Sequence, residues 1–250
     1  MPNYKVCAIL RFYGMLFWGE RVHANRAVFF RSLESLRHVS ELAYEELARV
    51  AEVFRHPRKA HLWREGDLSE HVYFLRSGVL KLTRELDDNR TLNLGFFSKG
   101  DVVGEGAVLG AQERHTNAVV YQDLEVYRIA AADLARIMAG SAEVSRWLAA
   151  QSHERRRVLE QRVGVLLFKT AHARIASLLL DLAKTFGVRD SRGTIVNLKL
   201  THRELAAMIG ATRETVSFAI VDLRKKGLVE TEGKRVILLD EPKLRDLMVA

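Results

Sequence analysis

The sequence predicts an α+β chain: a roll or barrel of short strands, then a long helix, then a helix-turn-helix with a β-hairpin wing. Three observations carry this. Between Ala60 and Ile129, short apolar runs alternate with Gly-containing turns at intervals of about ten residues. From Ala130 to Phe168 the apolar spacing becomes helical. From Leu200 to Val229 nearly every position suits two short helices meeting at a tight turn.

With 250 residues, 48% of them hydrophobic, the chain has material for two compact domains. The spacing places an N-terminal extension at 1–28, a sensor-like β domain at 29–138, a dimerisation helix at 139–168, a winged helix-turn-helix at 169–240 and a tail at 241–250. The extension has no clear period and reads either as a loosely attached segment or as an over-extended start. The net charge is +8 and unevenly spread. From Lys169 to Arg235 there are 13 Lys and Arg against seven Asp and Glu, a net +6. Positive charge gathered in one segment is the electrostatic footprint of a polyanion partner, although a merely solvated basic surface has the same composition.

A single cysteine, Cys7, excludes an intrachain disulfide, a multi-thiolate zinc site and a four-cysteine iron–sulfur cluster. It fits a reducing cytoplasm, the expected location. No apolar run approaches the ~20 residues a membrane helix needs, and Arg11 interrupts the apolar stretch Cys7–Trp18, so no membrane partner and no secretory signal are expected. The nine histidines are scattered without metal-binding spacing, and no metal site is expected.

Phe29 to Phe54 carries three- and four-residue apolar steps through Leu33, Leu36, Val39, Leu42, Leu47 and Val50, and predicts helix. Strands follow at Val72–Leu75, Val79–Leu82, Leu92–Phe97 and Ala118–Ile129, with turns at Glu65-Gly66-Asp67, Arg76-Ser77-Gly78 and Ser98–Asp101. In the long helix, Trp147, Leu148, Leu159, Val163 and Leu166 form an apolar stripe. A helix longer than one domain core needs suggests pairing with a second copy, a homodimer. The alternative is an amphipathic helix lying on its own β domain.

The C-terminal motif reads LTHRELAAMIGATRETVSFAIVDLRKKGLV. Thr201 with Glu204 three residues on makes a capping box. Leu205 and Ile209 face inward, Ala206 is small where a second helix crosses, and Gly210 supplies the left-handed turn. Thr212 caps a second helix whose inner side is Val216, Ala219, Ile220 and Leu223. Its outer side carries Arg213, Glu214, Ser217 and Phe218, placed to read bases in a DNA major groove: an Arg fork suits guanine and a carboxylate suits cytosine. Thr201, His202, Thr212, Thr215, Lys234 and Arg235 are placed to meet phosphates of double-stranded DNA. Leu228–Thr231 and Arg235–Leu239 predict the wing hairpin around Glu232-Gly233-Lys234.

These residues resemble the catabolite-activator and fumarate–nitrate regulator (CRP/FNR) family of bacterial transcription factors from about Phe29 to Leu239. RETV at Arg213–Val216, the GLV…GK wing, REGD, LRSGVL at Leu75–Leu80 and KGDVVGE at Lys99–Glu105 carry the resemblance. It implies a cyclic-nucleotide-binding-type β roll, a long dimer helix and a winged helix reading a near-palindromic site, with RNA polymerase as a partner. It also implies an effector site at Gly104, Glu105, Arg114, His115 and Thr116. There His115 stands where the family's nucleotide binders have Ser, Gly106 replaces Leu, and Leu159 and Glu160 occupy the positions of two hydroxyl residues. The effector thus stays open between a cyclic mononucleotide, another small molecule and none. In the reading helix, Phe218 takes the place of a family Arg.

Other functions are weaker. Gly104-x-Gly106-x-x-x-Gly110 imitates a dinucleotide fingerprint, but the polar segment Gln112–Asn117 offers no helix for a phosphate to meet. There is no phosphate-binding loop, nucleophile elbow or other catalytic constellation, so no catalytic residue is assigned. The principal alternative is a cyclic-nucleotide-binding regulatory module whose helical C-terminus docks on a protein partner; an unrecognised enzyme is the other.

Overall fold

The computed structural model describes residues 26–86 and 90–248. The expectation for the N-terminal extension therefore falls mostly outside the described residues. Two compact units emerge, one built from residues up to Leu80 with Phe97–His153, the other from Lys81–Phe96 with the chain from Glu154 onward.

In the first unit a helix α1 at 26–32 places Phe29 and Phe30 in the core. A 3₁₀ turn, Glu34–Leu36, leads to α2, Glu41–Val50. The single helical run expected over Phe29–Phe54 is thus three pieces. The chain is extended at Leu33 and Ser40, and Ala51 leaves the helix with ψ 132°, so Phe54 belongs to the strand β1, Glu52–His56. Ser40 is tied down by its backbone N–H, which donates to the Glu143 carboxylate at 2.7 Å.

The strands β2 (His61–Trp63), β3 (His71–Leu86), β4 (Arg90–Phe97), β5 (Val102–Val103) and β6 (Asn117–Ala130) complete the roll. β6 pairs antiparallel with β1 and β2, and β5 with β3. Turns form as expected at Gly66 and Gly100, both at positive φ. The expected turn at Arg76-Ser77-Gly78 does not form, and β3 runs straight through it. Gly78 still has a purpose. It sits at φ 88°, and a Cβ there would lie 2.0 Å from the Asp123 carbonyl oxygen, so it admits a close approach of β6 instead of reversing the chain.

The expected helix Ala130–Phe168 breaks at Ser141, which is extended, into α3 (Ala131–Gly140) and α4 (Ala142–Phe168). Trp147 and Leu148 of α4 are buried in the first unit's core. The Trp147 ring stacks on Phe74 at 5.7 Å, and Phe74 meets Phe30 edge-on at 5.1 Å. Their place in the core removes both from the stripe expected to pair with a second copy.

The second unit holds the hairpin end of β3 and β4, the later turns of α4, and the helix α5, Ala171–Phe186, capped by Thr170. Strands β7 (Gly187–Arg189) and β8 (Thr194–Val196) follow, then α6 (His202–Ile209) and α7 (Arg213–Lys225). β9 (Val229–Glu232) and β10 (Arg235–Leu238) close a four-stranded sheet ordered β7-β8-β10-β9. α8, Glu241–Asp246, occupies what the sequence suggested was a tail. Asp240 caps it, accepting from Lys243 N–H at 3.0 Å, and Leu244 is fully buried.

Leu244→Ala removes a fully buried side chain from the C-terminal unit, and a loss of about 2–5 kcal/mol is expected in denaturant melts. A cost near zero would return α8 to the status of a loose tail.

Candidate DNA-reading face and effector site

The turn between α6 and α7 is fixed at both ends by caps. Thr201 Oγ1 accepts from Glu204 N–H, and the Glu204 carboxylate accepts from Thr201 N–H at 2.9 Å, the reciprocal pair of a capping box. Gly210 ends α6 in the left-handed region at φ 61°. Thr212 is extended and accepts from Thr215 N–H at 3.1 Å, which starts α7 at the next residue, Arg213.

With the caps in place, α7 buries Val216, Ala219, Ile220 and Leu223 against α5 and α6. The opposite side is left outside: Arg213, Glu214 and Phe218 are exposed, and Ser217 is partly so. Phe218 is 76% exposed, far more than a core aromatic, so nothing in this unit accounts for its side chain. Leu200 N–H donates to the Lys234 carbonyl at 2.8 Å and anchors the β9–β10 turn to the start of α6. Thr201, His202, Arg203, Arg213, Gly233 and Lys234 thereby line one cleft of about 440 Å³. One contact was not foreseen: His202 Nδ1 lies 2.7 Å from Ser217 Oγ, joining a residue expected at phosphate to one expected at a base.

In the first unit, Arg114 is 6% exposed. One terminal nitrogen donates to the Gly104 carbonyl at 3.2 Å and the other to the His71 carbonyl at 2.5 Å. The guanidinium carbon sits 4.5 Å from the Trp63 ring centre, and Trp63 stacks on Tyr73 at 5.5 Å. Burial pulls the guanidinium below its usual range, with Tyr73 and Glu105 acting the other way. Gly104 takes φ 81°, and a Cβ there would stand 2.7 Å from an Arg114 nitrogen.

On α4, Leu159, Val163 and Leu167 are exposed at four-residue steps, whereas Leu166 is only partly exposed and lies close to Gly210. Arg162 is directed elsewhere, donating to the Leu94 carbonyl on β4 at 2.7 Å.

The Cyclic nucleotide-binding domain family matches residues 53–141, and the Crp-like helix-turn-helix domain family matches 173–247. The chain belongs to the CRP/FNR family. It is a transcriptional regulator of that type. It is 29% identical over 188 residues to the CRP-like cAMP-activated global transcriptional regulator of Mycobacterium tuberculosis H37Rv, covering 75% of this chain and 84% of that one. It is also 29% identical over 206 residues to the anaerobic regulatory protein of Bacillus subtilis, covering 80% and 85%. The solved structure of FixK2 from Bradyrhizobium japonicum superposes with a TM-score of 0.72 at 25% identity, covering 80% of this chain and 98% of that one. Helix-turn-helix regulators of the CRP/FNR type bind DNA and act as dimers.

The family's roll implies a small effector such as a cyclic nucleotide, and the residues here match the nucleotide binders' site only in part. Each terminal nitrogen of Arg114 gives one of its two N–H groups to a backbone carbonyl, and the indole of Trp63 covers one face of the guanidinium. Arg114 Nε finds no hydrogen-bond partner among the described residues. His115 supplies no Ser hydroxyl, Leu159 cannot hydrogen-bond, and the Glu160 carboxylate lies 3.4 Å from Arg156. The Arg114 side chain explains why residue 104 is a glycine, since a Cβ there would meet the guanidinium. Sequence reasoning missed Trp63, whose position in a three-residue strand carried no signal beyond its size.

Burial, with the Arg128 guanidinium, holds the CRP/FNR roll's His56 and His71 below the usual imidazole range. Each resists protonation in the folded chain at a pH where the unfolded chain accepts a proton. This stability is complete above pH ~6.5 and is lost as pH falls through the folded values. The melting temperature of the first unit is expected to fall as pH drops below about 6.5, and His56→Gln with His71→Gln should flatten that fall. A pH-independent melt over this window contradicts it.

Proposed function

We propose that this protein is a homodimeric regulator that reads a near-palindromic duplex DNA site through α7. The single observation that carries the reading is the exposed face of Arg213, Glu214, Ser217 and Phe218 beside a cleft whose cations are Arg203, Arg213 and Lys234. Arg213 and Glu214 occupy the first turn of α7, the end that enters a major groove first. Arg213 offers a two-pronged donor to guanine, Glu214 accepts from cytosine, and the Phe218 ring lies against a thymine methyl. Thr201, His202, Thr212, Thr215, Lys234 and Arg235 hold phosphates and set the register.

Leu159, Val163 and Leu167 supply the apolar seam against the second copy, placing two reading helices on half-sites about one helical turn apart. The chain divides as a roll at 29–138, a dimer helix at 139–168 and a winged domain from 169. α8 supports extending that domain past 240. The protein works in the cytoplasm, with RNA polymerase as the partner that its DNA position recruits or blocks, and without catalysis of its own. Among the described residues no helix is long and apolar enough to cross a membrane. A small effector in the roll, or the level of the protein itself, controls DNA binding.

Duplexes selected from a random library should converge on a two-fold site. Arg213→Ala should cost about 1–3 kcal/mol at one base pair of each half-site and relax specificity there. Lys234→Ala should weaken binding to all sequences and lower the slope of log affinity against log salt by about one per protomer. An Arg213→Ala protein with wild-type sequence preference removes that residue from the reading face.

A further inference from the structure

We propose that His202 sets the hydrogen-bonding sense of Ser217. Nδ1 of His202 accepts the Ser217 hydroxyl proton, so Ser217 meets its base as an acceptor and selects an exocyclic amine. The proposal rests on the DNA-reading function above and deepens it.

The geometry is a partly buried contact of 2.7 Å between His202 Nδ1, at the first residue of α6, and Ser217 Oγ, on the second turn of α7. A serine hydroxyl has one proton and two acceptor sites, so it can serve as donor or acceptor to a base until a neighbour claims the proton. A neutral imidazole has one N–H, and the partner of one nitrogen decides which nitrogen carries it. With Nδ1 engaged by Ser217, Nε2 is left for whatever enters the cleft that His202 lines. That cleft receives Arg203 from the same helix, Arg213 from α7 and Lys234 from the β9–β10 turn. The neighbouring carboxylate, Glu204, is held in the capping box with Thr201. Three cations around one cleft favour phosphate oxygens, which accept hydrogen bonds and cannot donate them. The nitrogen meeting phosphate therefore carries the N–H, and Nδ1 presents its lone pair.

The Ser217 proton is then committed to the ring, and only the oxygen's lone pairs face the groove. Adenine N6 and cytosine N4 are the major-groove donors, whereas guanine O6 and N7 and thymine O4 are acceptors that such a serine rejects. A phosphate contact and a base preference are thus joined through one ring. His202 acts as a positioning residue, and Ser217 as the group at the base.

The test is library selection with the full-length chain at fixed pH and salt, comparing wild type with His202→Phe, His202→Asn, Ser217→Ala and the His202→Phe/Ser217→Ala pair. All variants are first checked for a wild-type melting temperature. Wild type should prefer adenine or cytosine at one position of each half-site by about three- to tenfold. Ser217→Ala should flatten that preference. His202→Phe should free the hydroxyl proton and move the preference toward guanine or thymine, while the double variant should match Ser217→Ala at that position. His202→Asn, which keeps an acceptor, should restore the wild-type preference. The proposal is overturned if Ser217→Ala leaves every position unchanged, or if His202→Phe weakens all sequences equally with the preference intact. A folded wild-type protein that selects no sequence overturns the DNA-reading function and this proposal together, whereas a selected site insensitive to His202 overturns the proposal alone.

Discussion

The reading face depends on the short turn between α6 and α7, and that turn depends on backbone groups being satisfied on both sides of it. A helix start leaves its first N–H groups without partners inside the helix. Thr201, Glu204 and Thr212 fill that need with side-chain oxygens, while Gly210 makes the left-handed step that a Cβ would oppose. Once these positions are fixed, the phase of α7 follows. Val216, Ala219, Ile220 and Leu223 must turn inward, and Arg213, Glu214 and Phe218 have nowhere to go but out. The chemistry presented to a partner is the remainder left by packing.

This explains why the C-terminal half was so legible. Caps, a positive-φ glycine and a 3.6-residue period are local signals, written within 30 residues and answered within the same 30. The roll was legible as a class and less so in detail. Gly78 carried a turn signal, but the demand on it came from Asp123, a neighbour 45 positions away that no local pattern reveals. Phe54 continued a helical period that ended when Ala51 turned to strand. The strands β7 and β8 have three residues each, too few for a period. Leu148 lay in phase with Leu159, and spacing could not separate a helix's core-facing start from its exposed continuation.

The candidate sites divide the same way. Arg213 and Glu214 sit where a local motif puts them. The pairing of His202 with Ser217 and of Arg162 with the Leu94 carbonyl needed the fold, since each joins elements by a single side chain without a sequence signature. Arg114 is the instructive case. The resemblance assigned it to an effector, whereas its surroundings of two carbonyls, an indole and a tyrosine, which hold the guanidinium in the roll, needed the fold.

That arrangement bears on how genetics in this protein is interpreted. In a ligand-gated regulator, an arginine whose loss silences the output is commonly scored as a receptor residue. Here the same phenotype has a second source, the packing that Arg114 supplies to the roll. Removing the Arg114 side chain takes the guanidinium from the His71 carbonyl and leaves Trp63 beside a void, while the Gly104 carbonyl keeps the Ala107 N–H at 3.1 Å, so a drop in folded protein is the expected cost. A screen that reads only reporter output cannot tell a deaf sensor from an absent one, and at this position the abundance of the protein is the quantity that separates them.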